Sequence, residues 1–457
     1  MDIFTAFLIF AFILCVAVAC LIALVAAVIK FKPIFWASIS TLTSTVQLYI
    51  FPLPGFYLSA SLLTGLLSVK SLLNLNQTRF LWVYAFLLME VFRGVSLLWS
   101  PKPIEGIRYL IYEIVFIFIV IAFSNAANIK AGIKERVIKI SLTLVGLNAI
   151  LVILFRLGPE IEMNFLNSVI SQFFISKNVL SALLTYSPNN VFDPSKAGGF
   201  FINANVGAAY MGMAAMGAWF FGKALKSKLL ISSAVLCWIA VFFAGSKAAI
   251  IVAATLPLLL FVINIVFSNT INLKHLLVLL GLVFMGSLAW IFGHLFFENS
   301  EFFTNSTSTL DDRIVMWTFA ANAFAKHPFL GLGFGGWDIQ SAGYAFMNGY
   351  RTNLPAHNAY LILWSQSGLL AALAGLVFSV SLVAFLIKAL TYNTGREALI
   401  VKGVLGAVLW VFFQAQGENF GLIGEAHITP LLAMMIGYAI SQGCFQKKKK
   451  STDEKAE

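Results

Sequence analysis

The chain has 457 residues, 60% of them hydrophobic and 11% charged, with a mean hydropathy of +0.90. A soluble core cannot hide that much apolar surface, since roughly half apolar is already usual, and repeated apolar runs of about 20 residues match the thickness of a bilayer. The formal charge of +11 does not point to nucleic acid, because most cations lie in short loops on one side and in a closing lysine run, the pattern of cytoplasmic loops.

Taken in chain order, the apolar runs give thirteen candidate spans: 3–29, 33–50, 54–69, 80–98, 105–124, 135–156, 200–221, 228–244, 246–268, 274–297, 360–387, 399–416 and 425–443. The fold class expected is an all-α polytopic membrane protein of about 12–13 transmembrane helices, with 1–457 as one integral membrane domain. The N-terminal run has no basic flank and is too long for a signal peptide, so it reads as a retained helix. "FPLPGF" at 51–56 breaks the second and third spans, as proline and glycine usually do. The eighth and ninth are joined only by "AGSK" and form a tight hairpin. Cys15, Cys20, Cys237 and Cys444 all lie in apolar runs, spaced for neither zinc nor disulfides.

Placing "QKKKKSTDEK", within a basic tail at 444–457, in the cytoplasm and alternating backwards puts the basic loops 30–32, 128–136, 222–228 and 386–396 inside. The same parity puts the N-terminus and two long loops, 157–199 and 298–359, on the outer side. Long loops on a rigid scaffold are where function concentrates.

The second loop is the richer. A helix is expected from Leu310 to Lys326, with Thr309 and Asp312 as a capping box and Pro328 as its stop. Ile314, Trp317, Ala321 and Phe324 share a face, so this helix is expected to lie along the membrane surface. Arg313 then sits near a helix start, where a cation makes sense if an anion binds there too. "GLGFGGW" (331–337) follows. Its glycines, Gly333 among them, permit close backbone approach to a ligand. It is not a dinucleotide fingerprint, for no strand precedes it and no clear helix follows.

His357 and Asn358 open the next apolar helix. Asn358 is a good cap and a candidate substrate contact. The positive end of that helix keeps the His357 imidazole neutral, and a neutral imidazole can act as a general base. Lys247, at the turn of the hairpin, is a cation close to hydrocarbon, where charges tend to be functional. Asn203 and Asn205 stand at the mouth of the seventh span and read either as caps or as contacts to sugar hydroxyls. Glu90 and Arg93, three apart, pair on one helix face. Lys177, Lys196, Arg351 and Glu425 are further candidates. The sequence has no HExxH, no carboxylate cluster in a long loop and no P-loop, so neither a metal nor a nucleotide cofactor is expected.

"DDRIVMWTFAANAFAKHPFLGLGFGGW", followed by "PAHNAYLILWSQSGLLAAL", resembles the signature region of the O-antigen ligase and polymerase superfamily. "GGFFINANVGAA" and "LLWS" resemble further family segments, as does "AGSKAAII", where the family usually has Ser-Arg. The resemblance implies a GT-C-like bacterial inner-membrane glycosyltransferase. Such an enzyme joins a glycan carried on undecaprenyl pyrophosphate to lipid A–core at the periplasmic face, by an inverting, metal-independent reaction. It implies that His357 deprotonates the acceptor hydroxyl, that Arg313 holds the pyrophosphate, and that Lys247 replaces the second cation. A lysine keeps the charge there and loses the bidentate fork. The alternative is a polysaccharide polymerase on the same scaffold. A lipid-linked glycan transporter would need polar paths through several helices or internal repeats.

Overall fold

The computed structural model describes residues 30–53, 56–77, 80–125, 131–175, 180, 193, 195–267, 301–349, 356–418 and 420–445. Long apolar segments satisfy their own backbone hydrogen bonds only as helices when water is absent, and helices dominate here. They are α1 (Pro33–Ser44), α2 (Ala60–Leu67), α3 (Leu81–Ser96), α4 (Pro103–Ser124), α5 (Ala131–Leu157), α6 (Pro159–Leu166) and α7 (Ala204–Ala224). Then come α8 (Lys228–Phe243), α9 (Lys247–Phe267), α10 (Glu301–Lys326), α11 (Trp337–Met347), α12 (Ala359–Leu390), α13 (Gly395–Gln414) and α14 (Ile428–Ser441). Among the described residues five helical stretches are long and apolar enough to cross a membrane, so the chain is an all-α polytopic membrane protein. The expected spans 3–29 and 274–297 lie outside the described residues.

The second and third expected spans are not single helices. The first half of this region is α1, only 12 residues long, about 18 Å against the roughly 30 Å of a hydrocarbon core. A hairpin of β1 (Tyr49–Leu53) and β2 (Phe56–Ser59) follows, then the still shorter α2 of 8 residues. Pro52 and Pro54 forbid helix continuation. The two short helices pack through reciprocal serine bonds, Ser40 Oγ to the Ser61 carbonyl at 2.7 Å and Ser61 Oγ to the Ser40 carbonyl at 2.8 Å.

Helix α7 is the hub, wrapped by α8, α13 and α5. Its run of glycine and alanine lets neighbours approach closely. At Gly212 a β-carbon would overlap the Trp410 ring of α13. Trp410 Nε1 donates to Gln414 Oε1 at 2.8 Å, and Gln414 Nε2 donates to the Asn205 carbonyl at 3.1 Å. This chain of contacts fixes the first turn of α7 against the end of α13. Helices α3 and α12 pack together, as do α4 and α14.

The expected Glu90–Arg93 pair forms, with Arg93 Nη1 2.9 Å from Glu90 Oε1. Glu113 of α4 joins it, its Oε1 3.0 Å from Arg93 Nη2. The guanidinium also lies 4.1 Å from the centroid of Phe334, a close cation–π geometry. All three charged side chains are buried. Arg93→Ala strands two carboxylates in an apolar interior, which costs about 3–5 kcal/mol. A markedly lowered melting temperature of the detergent-purified variant, followed by size exclusion, is the expected result; a wild-type value would refute the clamp.

Candidate functional site

The large loop departs from expectation at its first element. Helix α10 spans Glu301–Lys326, so Thr309 lies inside it, and Arg313 sits about three turns in. The dipole argument for an anion at Arg313 therefore lapses. The core-facing stripe of α10 is Met316, Ala320 and Ala323, whereas Ile314 and Ala321 are exposed. The helix does stop at Lys326 and Pro328 follows, because the proline cannot continue the ladder. Trp317 Nε1 donates to the Ala356 carbonyl at 2.8 Å, and Phe324 packs against Trp364 with centroids 3.9 Å apart. Both contacts pin α10 to the start of α12.

The glycine segment has a structural explanation. Helix α12 breaks at Gly368, where φ is +78°, a conformation natural to glycine. The 328–333 segment threads against the break. Leu369 N donates to the Pro328 carbonyl at 2.8 Å, while Leu332 N and Gly333 N donate to the Ser365 and Gln366 carbonyls, each at 2.9 Å. Gly333 adopts φ +96°, and a β-carbon there would stand 2.6 Å from Ser100 Cα. The close approach made by Gly333 is thus to the protein's own backbone. Contrary to expectation a helix, α11, follows directly, with Gly336 as its N-cap.

Three of the asparagines divide by role. Asn203 Oδ1 accepts from the backbone N–H of Asn205 at 2.9 Å and of Val206 at 3.3 Å, and Asn358 Oδ1 accepts from Leu361 N at 3.0 Å. Both are helix caps, so the side-chain oxygens of Asn203 and Asn358 are already engaged. Asn205 instead stands against the carboxyl of Glu418. Arg351 and Lys177 lie outside the described residues.

Glu418 is the residue the sequence reading missed. It lies in the segment between α13 and α14, its side chain only 4% exposed. His357 Nδ1 is 3.7 Å from Glu418 Oε2, just beyond a hydrogen bond, and is a buried nitrogen without a hydrogen-bond partner. His357 is held at φ +47°, a left-handed conformation uncommon for non-glycine residues, though histidine adopts it more readily than most. Ala359 N donates to the Ala415 carbonyl at 3.0 Å, which ties the start of α12 to the segment carrying Glu418.

Arg313 acts electrostatically on His357, Glu418 and Lys247, and its Nε is buried without a hydrogen-bond partner. Lys196 acts on both Glu418 and Lys247. Ser246, just before Lys247, lies against the Glu418 carboxyl. Arg313, Lys196, Lys247, His357, Glu418 and Asn205 therefore converge at one end of the bundle. Burial, aided by the Arg313 charge, pushes the His357 imidazole down to about 4. Burial pushes the Glu418 carboxyl up to about 7, against the opposing pull of Arg313, Asn205, Lys196 and Ser246.

A polytopic helical membrane protein with cations, a neutral imidazole and a buried carboxyl at one end of the bundle is the class the fold and site define. Residues 232–376, about a third of the chain, match the family model described as O-antigen ligase. The match over this stretch supports the O-antigen ligase superfamily. The matched stretch contains Lys247, Arg313 and His357. No curated protein gives a significant match.

Two outcomes are expected. The folded carboxyl of Glu418 is raised above its unfolded value, so it favours folding at low pH, and that contribution is lost as pH rises through about 7. A protonated-carboxyl infrared band should fade over that range and be absent from Glu418→Gln; a wild-type spectrum without it would contradict the assignment. Asn203→Ala and Asn358→Ala should each cost about 1 kcal/mol of stability and leave substrate KM near wild type. A KM effect without a stability effect would instead make them substrate contacts.

Proposed function

We propose that the protein transfers a glycan from a polyprenyl-pyrophosphate carrier to an acceptor hydroxyl at the periplasmic face of the bacterial inner membrane, as an O-antigen ligase acting on lipid A–core. The observation that carries this reading is the convergence of three cations on a buried His–Glu pair, within and beside the stretch that matches the O-antigen ligase family. The pair and the cations lie at the ends of α7, α9, α12 and α13 that the loop charges assign to the outer side.

Transfer of this kind forms a bond from the acceptor oxygen to the anomeric carbon and breaks the bond from that carbon to the phosphate oxygen. The leaving pyrophosphate carries the electron pair away, and Arg313, Lys247 and Lys196 supply positive charge where it develops. The proton of the acceptor hydroxyl goes to His357, which is neutral at physiological pH. A lone imidazole pushed down to about 4 is a weak base. Glu418 eases this where it is ionised, above about pH 7, since an imidazolium forming 3.7 Å away then pairs with its carboxylate. Single displacement inverts the anomeric centre; a retained configuration in the product, read by NMR, would sink that scheme.

His357→Ala in a deletion strain is expected to cut transfer by about 10²–10⁴-fold. A ligase then leaves core without O-antigen on a lipopolysaccharide gel, whereas a polymerase leaves core with a single repeat. An unchanged ladder with normal expression removes His357 from the mechanism. Lys247→Arg, which restores the bidentate fork, is expected to keep or raise activity, and Lys247→Ala to lower it; equal activity in all three would show that the charge is not used.

A further inference from the structure

A cavity opens beside the segment joining α13 to α14. Its volume is about 240 Å³, and its walls are the early turns of α4, the 420–427 segment and the start of α14. It shares Tyr109, Glu113, Phe420 and Gly421 with a narrower chamber of about 120 Å³ that reaches Ala359, two residues from His357. The junction stays open because residue 421 is a glycine: a β-carbon there would stand 2.9 Å from Glu113 Oε1. The two chambers together form a cleft that runs from the early turns of α4 to the first turn of α12, past Phe420 and Gly421 of the segment that also carries Glu418.

The cleft and the transfer cluster differ in charge. The transfer cluster gathers Arg313, Lys247 and Lys196 around one carboxyl. The cleft sets Arg108 against Glu425, the Glu113 carboxylate beside them being already held by Arg93. Glu425 is fixed in place, its Oε2 accepting from His427 N at 2.8 Å and lying 2.9 Å from His427 Nδ1. A pyrophosphate gains little where one guanidinium is opposed by a carboxylate. A polyol gains more: carboxylates accept from hydroxyls and a guanidinium donates to them. The rings of Tyr109 and Tyr112, which line the same cavity, offer flat apolar faces with polar tips, suited to the C–H face of a pyranose.

We infer that this cleft is the acceptor-side saccharide subsite, which holds a sugar of the acceptor and delivers its hydroxyl past Ala359 to His357. The inference rests on the transfer reading given above. It assigns the phosphorylated donor and the uncharged acceptor sugar to two sites of different charge, so that charge alone sorts the two substrates.

The test uses the purified full chain in nanodiscs. The probes are deacylated lipid A–core oligosaccharide and the free repeat-unit oligosaccharide of the source strain, read by saturation-transfer NMR and by transfer from the lipid-linked donor. Arg108→Ala and Glu425→Gln are expected to weaken oligosaccharide binding and raise the acceptor KM about tenfold or more. Donor KM and the slow hydrolysis of donor by water should stay at wild-type values, and Arg313→Ala should show the reverse. Because Glu425 also anchors His427, the exposed Tyr109→Ala serves as an independent variant with the same expected shift. A raised donor KM with unchanged acceptor KM, or unaltered binding in all three cleft variants, overturns the inference. If the wild type binds an oligosaccharide through Arg108 yet transfers nothing, the transfer reading falls and the saccharide subsite stands. If neither probe binds the wild type, the subsite falls whatever the transfer assay gives.

Discussion

The break in α12 at Gly368 is the constraint on which the site depends. A helix interrupted in an apolar interior leaves carbonyls and N–H groups that must find partners. Here they find them in the 328–333 segment, through the bonds of Leu369, Leu332 and Gly333. That insertion locks the end of α10 to the middle of α12. Trp317 and Phe324 then hold the body of α10 against the first half of α12. Arg313 and His357, forty-four positions apart in sequence, are brought together as a consequence, without any direct bond between them.

The other half of the cluster arrives by a separate route. Small residues along α7 let Trp410 approach, and Gln414 carries that contact to Asn205. The bond from Ala359 to Ala415 then sets the Glu418 segment beside His357. Two packing systems, one built on α10 and α12 and the other on α7 and α13, meet at the His–Glu pair. Burial at this junction does the electrostatic work. It discharges the imidazole and favours the protonated carboxyl, and the nearby cations counter only part of the second effect. The transfer proposed above would draw on the neutral imidazole as its proton acceptor.

The buried Arg93 cluster shows the same logic applied to structure. One guanidinium answers two carboxylates from neighbouring helices and supports Phe334 of the glycine segment. Ionic groups buried this deep hold only while every partner is present. The segment that enters the α12 break is thus braced from the α3–α4 side as well.

Composition and the lengths of the apolar runs were enough to define an all-α membrane protein, because lipid admits few other solutions for the backbone. The caps at Asn203 and Asn358, the Glu90–Arg93 pair and the stop at Pro328 were legible because each is local, set within four residues. The motif order pointed to the same family whose model matches residues 232–376, a stretch that contains Lys247, Arg313 and His357. What the sequence could not show was distant in the chain. The length of α10 overrode a capping box that looked adequate. Two apparent spans became short helices around a hairpin. The glycines read as room for a ligand were room for the protein's own backbone. Glu418 carried only a faint signal, a carboxylate between glycine-rich turns in the segment joining α13 to α14. Its raised pKa and its place beside His357 exist only once α7, α12 and α13 are packed, because desolvation is a property of the assembled interior and not of any residue in isolation.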